Sequence, residues 1–331
     1  MIKTLKRSVA STLITDSQYD PEWTYIEVPG DPIIYKFNIY SPVHGSEKFT
    51  VDWGDGIIDH HTRHVYRDKL KGQNKRIIKI KGLHNSYYYS FDPNIGARID
   101  HSVFDVKHTR SLLSVERFPD NFSRTHKSLN HLCAGLTRLT TVGPDAFKYC
   151  KDTVTCKEAF KDCVNLKNIP GSLFNGFTSV ISFNRTFSNT GLIAIPENLF
   201  KDCVQAKNFI QTFSSCGSLE SIPGQLFSNC TNVTAFNFTF TQCKSITSVP
   251  SNLFENNTKV ISFVFTFKDT GCSSIPVDLF KNNTNAEYLN FVFNTRLLRK
   301  SNPEILFAHC PGKDTYDMRL DRDTFMTVSN L

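Results

Sequence analysis

The chain has 331 residues, 40% hydrophobic and 21% charged, an ordinary balance for a water-exposed protein with room for two cores. Its formal charge of +7 comes from Lys and Arg scattered in ones and twos, which argues against a nucleic-acid partner. No segment approaches the roughly 18 apolar residues of a spanning helix, which argues against membrane insertion.

Residues 1–20, MIKTLKRSVASTLITDSQYD, open basic, but Ser, Thr and Asp interrupt the apolar run that a secretion signal needs. They read as an N-terminal arm. Residues 21–104 then carry several short strand patterns. Pro32-Ile-Ile-Tyr-Lys-Phe-Asn-Ile39 is one, and Phe49-Thr-Val-Asp-Trp53 runs into a Gly-Asp-Gly turn ending at Gly56. His64-Val-Tyr66 and Arg76-Ile-Ile-Lys-Ile-Lys-Gly82 supply two more. Short strands in this number predict a small β-sandwich.

This segment also holds the candidates for chemistry. His60-His61-x-x-His64 beside Asp59 has the makings of a metal cluster, against which stands a reading of His60 and His61 as turn residues. Asp52 and Asp55 flank Trp53-Gly54, where turn formation explains them better than paired catalysis. No Ser/His/Asp set, phosphate-binding glycine loop or H-E-x-x-H occurs, so no catalytic residue, metal or cofactor is expected. Residues 83–112 bridge to the next unit, with Tyr87-Tyr88-Tyr89 and Phe91 placed to cover its open end.

Residues 105–310 are a repeat. Ile-Pro-x-x-Leu-Phe recurs from Ile169, Ile195, Ile222 and Ile275, with Val249 heading a fifth copy. Degenerate copies end at Phe122, Phe147 and Phe307. The closing phenylalanines, at 122, 147, 174, 200, 227, 254, 280 and 307, stand 25 to 27 residues apart. Two further aromatic columns keep the period, Phe160-187-213-240-267-293 and Phe183-209-236-263 with Leu289 last. Of the chain's 28 phenylalanines, 23 lie between 118 and 310, so the aromatic excess belongs to the repeat. Each coil must bury its rings against its neighbours', because no single coil can bury its own face. About eight coils of 26–27 residues are expected, and terminal Phe307 should have only one neighbouring coil. The run before Ile-Pro, with apolar residues three apart as at Leu219 and Ile222, fits either a short strand or a helical turn. The Leu-Phe-x-x piece after it reads as a helical or 3₁₀ turn. Residues 311–331, rich in alternating charge, form the closing cap.

All ten cysteines fall in the repeat, seven of them three residues after a column Phe. Elsewhere that slot holds Thr190, Thr270, Asn257, Asn283 and Phe177, which points to reduced cysteines serving as small buried side chains. One column has a different composition. Phe238, Phe265 and Phe291 occupy a position that earlier coils fill with Arg185 and Gln211. A site that accepts Arg and Gln faces solvent at least in those coils, so the three aromatics form either an exposed binding stripe or a locally buried row.

The phrase Phe213-x-x-Cys-x-x-Leu-x-x-Ile-Pro-x-x-Leu-Phe227 resembles the BspA-type leucine-rich repeats. The set Asp52-Trp-Gly-Asp-Gly, His64-x-Tyr66 and Ile78-x-Ile80-x-Gly82 is similar to PKD-like immunoglobulin-type domains, where a histidine such as His64 is structural. These resemblances imply a leucine-rich-repeat-like solenoid preceded by a β-sandwich, in proteins that bind rather than catalyse. The expected function is adhesin-like recognition of a protein or cell-surface ligand, with Phe238, Phe265, Phe291, Arg185 and Gln211 as binding residues. A virion tail or fibre protein made in a reducing cytosol is the expected setting, with virion partners held through the arm or sandwich. A bacterial surface adhesin and a purely structural virion component are the alternatives.

Overall fold

The computed structural model describes seven strands between residues 23 and 117, and residues 127–316 without a break. The N-terminal arm, the Gly54–Gly56 turn, Tyr87 to Phe91, Phe118 to Phe122 and residues 317–331 lie outside the described residues. The strands are β1 (Trp23–Val28), β2 (Phe37–Tyr40), β3 (Phe49–Asp52), β4 (Ile58–His61), β5 (His64–Arg67), β6 (Arg76–Lys81), β7 (Ser114–Arg117) and β8 (Thr141–Val142). Two sheets result, one ordered β4-β3-β6-β1-β7-β8 and one pairing β2 with β5. The strand patterns read from the sequence fall on β2, β3, β5 and β6; β1, β4 and β7 carry no such pattern, and β8 lies in the run that fits either strand or helical turn.

The larger sheet crosses from the front segment into the repeat. Strand β7 pairs antiparallel with β1 and parallel with β8, so that Ile26, Val115 and Val142 hold successive partner positions. A parallel step of 27 residues, from Ser114 to Thr141, is one coil of the repeat. The His60/His61/His64 cluster is divided by this topology. His60 and His61 lie in β4 rather than a turn, opposite Thr50 and Phe49, whereas His64 pairs with Tyr40 in the other sheet. The His60 ring meets the Thr50 hydroxyl at 3.0 Å.

Beyond residue 127 the described chain is largely non-helical and consists of coils stacked in parallel. Single-residue bridges link Ser128, Thr155, Ser182, Asn208, Ala235, Ser262 and Tyr288 in order. This ladder runs just before the Phe183-209-236-263 column. Segments before Ile-Pro, past β8, are neither helix nor strand. The Leu-Phe-x-x piece forms turns closed by bonds three residues back, such as Leu173 N–H to Pro170 O and Phe177 N–H to Phe174 O. Among the described residues regular α-helix enters only in the last coil, as α1 (Thr295–Lys300) and α2 (Pro303–Leu306).

Three stacked Phe columns make the core. Closing-column neighbours Phe174, Phe200 and Phe227 stack at 5.9 and 6.0 Å, and Phe187, Phe213 and Phe240 at 5.5 and 5.6 Å. The third column tilts onto the first, with Phe209 4.7 Å from Phe227. At the far end Phe307 is not bare. Tyr316 stacks on it at 5.8 Å, Thr315 Oγ1 accepts the Leu289 N–H, and Tyr316 O accepts the Phe291 N–H. Residues 312–316 thus act as a further rung that covers the last aromatic layer.

Candidate functional site

The stripe column is built by backbone conformation. His131, Glu158, Arg185, Gln211, Phe238, Phe265 and Phe291 all have φ between 50° and 57°. Left-handed backbone is costly for residues other than Gly, Asn and Asp, so its recurrence once per coil means the stack imposes it. The ladder is the cause: Arg185, Gln211, Phe238 and Phe265 each donate an N–H to the next coil, at 2.8 to 3.0 Å. Turning the backbone this way directs their side chains off the core, and all four, with Phe291, are half-buried.

The structure brings the five predicted residues into one row. Phe238 and Phe265 stack at 4.9 Å, and Phe265 and Phe291 at 5.5 Å with planes 12° apart. Arg185 Nε donates to Gln211 Oε1 at 2.6 Å. Four of the five, Arg185, Gln211, Phe238 and Phe265, line a groove of about 650 Å³; Phe291 extends the row beyond it.

Sequence reasoning missed the rest of the lining. Lys157, Asn184 and Ile210 each precede a column residue by one, and Thr241, Gln242, Lys268 and Asp269 follow one by three or four. Their constant offsets from the suspected column are the signal by which they could have been found. Lys268 Nζ sits 4.7 Å from the Phe265 ring centre and 5.8 Å from that of Phe291, within cation–π range.

Glu158 anchors the polar end. Its carboxylate meets His131 Nδ1 at 3.4 Å, Lys161 Nζ at 3.3 Å and Arg185 Nη1 at 3.3 Å. The close approach of the His131 ring, aided by the Lys161 charge, holds its pKa down at about 2 against the opposing effect of burial. Glu158 therefore stays ionised and fixes Arg185, which in turn positions Gln211 beside the rings. Nothing in the groove arranges a nucleophile with a base, and among the described residues no group of three or more His, Cys, Asp or Glu is placed to hold a metal.

No family model matches the chain, and no curated protein matches it. Among solved structures, it is similar to a chain from the Toll–Spatzle complex, described as a molecular hub in Drosophila development and innate immunity. That likeness has 16% identity and a TM-score of 0.29, covering 54% of this chain and 29% of the other. The chain therefore spans under a third of the length of the protein it matches.

Proposed function

We propose that this chain is a non-catalytic recognition protein, a leucine-rich-repeat-type solenoid behind a small PKD-like β-sandwich. In this reading the Phe238–Phe265–Phe291 row and its groove contact a protein or cell-surface ligand. One contrast supports it. Every other phenylalanine between residues 127 and 316 is at most 1% exposed, whereas these three are partly open to solvent. A stack that buries its aromatics so completely gains nothing in folding by leaving three at the surface, whereas exposed aromatics serve well as binding anchors. The setting in which such a surface acts is adhesin-like, on a virion tail or on a bacterial cell.

Replacing Phe238, Phe265 and Phe291 together by Asn tests the reading, because Asn tolerates the left-handed backbone that the column requires. Binding of the labelled protein to a panel of bacterial cells should fall to background. The melting temperature should drop only a few degrees, at about 2–4 °C per kcal/mol for a chain of this size. Collapse of the fold, or undiminished binding by an intact variant, would remove the row from the recognition surface.

A further inference from the structure

The groove's shape and charge define its ligand more narrowly, on the footing that the row is a recognition surface. Its lining comes from five consecutive coils, from Lys157 to Lys268. With about 4.8 Å between hydrogen-bonded neighbours, four steps give a trough roughly 20 Å long. An extended peptide at about 3.3 Å per residue fills that length with six residues.

Chemistry changes along the trough. At one end Lys157 and Arg185 are cationic; at the other Phe238 and Phe265 are apolar, with Lys268 lying over the rings. Asp269 is the one acidic residue of the lining. Glu158 does not oppose an incoming anion in full, since Arg185, Lys161 and His131 already surround its carboxylate. With Glu158 and its partner Lys161 counted beside the lining, the four cations Lys157, Lys161, Arg185 and Lys268 face the two carboxylates Glu158 and Asp269, a surplus that favours an acidic ligand. The aromatic geometry separates peptide from sugar. Phe265 lies between Phe238 and Phe291 in a near-parallel stack, with Lys268 Nζ 4.7 Å from its centre, so these neighbours leave little of its faces to a ligand. A sugar ring stacks on an aromatic face, whereas edges pack well against aliphatic and aromatic side chains.

We propose that the groove binds an extended segment of a partner protein about six residues long, with acidic side chains at the Lys157–Arg185 end and an apolar side chain against Phe238 and Phe265.

Panning the full chain against a bead-displayed random hexapeptide library tests this. Enriched sequences should pair Asp or Glu at one end with Phe, Trp, Tyr or Leu at the other. Their affinity should fall about tenfold for the Lys157→Glu/Lys268→Glu double variant, the scale of two partly exposed charge pairs. Both lysines lie off the Phe columns, and an unchanged melting temperature verifies that the variant is folded. Enrichment of basic sequences, affinity indifferent to the double variant, or no enrichment over bare beads would overturn the proposal. A glycan array run in parallel separates the two levels. Glycan capture that depends on Phe238 would overturn the peptide class while leaving the recognition surface standing.

Discussion

Two positions of the repeat that look like simple small-residue packing share one hydrogen-bonding duty. The Thr of each Thr-Phe phrase is buried; the Thr186 hydroxyl bonds Cys156 O, and the hydroxyls of the next three sit between two backbone carbonyls. Thr239 Oγ1 lies 2.9 Å from Phe209 O in the coil before and 2.7 Å from Phe236 O in its own. Thr212 and Thr266 repeat the arrangement. The cysteine slot works alike. Cys243 Sγ donates to Phe213 O at 3.0 Å, Cys216 Sγ to Phe187 O at 3.1 Å, and Asn257 Nδ2 to Phe227 O at 3.1 Å. In the same slot Thr190 and Thr270 donate to the Phe carbonyl three residues back in their own coil, Phe187 O and Phe267 O at 2.9 Å. Cys, Thr and Asn therefore share the slot because each brings a donor to a Phe carbonyl, not merely because each is small. Phe177 is the exception, and nothing in the structure explains it. All ten cysteines are free, and burial lifts the Cys216 thiol to about 11 and the Cys230 thiol to about 12, leaving little reactive thiolate. Thr and Val have the same shape, so position 243 can be probed for the donor alone. Under reducing conditions Cys243→Val should be less stable than Cys243→Thr by about 1 kcal/mol in urea unfolding. Val equal to or better than Thr would mean that the slot wants only apolar volume.

At the scale of one coil, the energy lies in ring packing. Phe227 touches rings in three layers: Phe200, Phe209, Phe236, Phe240 and Phe254 all lie within 6.3 Å. Phe227→Ala should therefore cost about 3–5 kcal/mol, from lost burial and a cavity walled by rigid neighbours. Phe307→Ala should approach that loss, because Tyr316 supplies the second neighbour that the sequence did not reveal. Urea unfolding of both variants decides it, and a Phe307 loss under half that of Phe227 would show that the Tyr316 contact carries little. The columns themselves were legible because a ring repeated at one period has only one way to be buried. Coil backbone was not legible. Six successive coils, from His131 to Asp269, place two residues in the left-handed region four apart, as at Arg185 and Asn189 or Phe238 and Gln242. The second column uses residues that favour that conformation at four of its six positions, Gly135, Asp162, Asn189 and Asp269, the others being Ser215 and Gln242. The stripe column uses Glu, Arg, Gln and Phe, which do not, so local preference gave no sign of it. A two-coil beat also went unread. Asn130, Asn184, Asn237 and Asn290 stand 53 or 54 residues apart. Asn130 Oδ1 accepts the Lys157 N–H at 2.8 Å, and Asn237 Oδ1 the Val264 N–H at 3.0 Å, so at these two positions an Asn side chain serves the backbone of the following coil, whereas Asn184 Oδ1 does not.

For the whole molecule, the decisive element is β7. A boundary near residue 104, drawn from the change in composition, suggests two units on a linker. Yet β7, past that boundary, is hydrogen-bonded to β1 of the front segment on one side and to β8 of the coil stack on the other. Val115, at the centre of this joint, is 1% exposed and belongs to the same apolar cluster as the Phe columns. A strand shared in this way makes loss of either side expose backbone donors and apolar surface on the other, which couples their unfolding. The sequence contains its own reporters. Both tryptophans, Trp23 and Trp53, lie in the front segment, whereas the coils contain none. Tryptophan fluorescence therefore follows the front sheet, and far-ultraviolet circular dichroism is dominated by the coils. In a urea titration the two signals should change at one midpoint, within about 0.2 M, as for a single cooperative unit. The double substitution Ile26→Asp/Val115→Asp puts two carboxylates at partner positions in the joint and should lower both midpoints together. A fluorescence transition that precedes the dichroism change in the unmodified chain would show that β7 joins the halves without coupling them, as separately folding units in series.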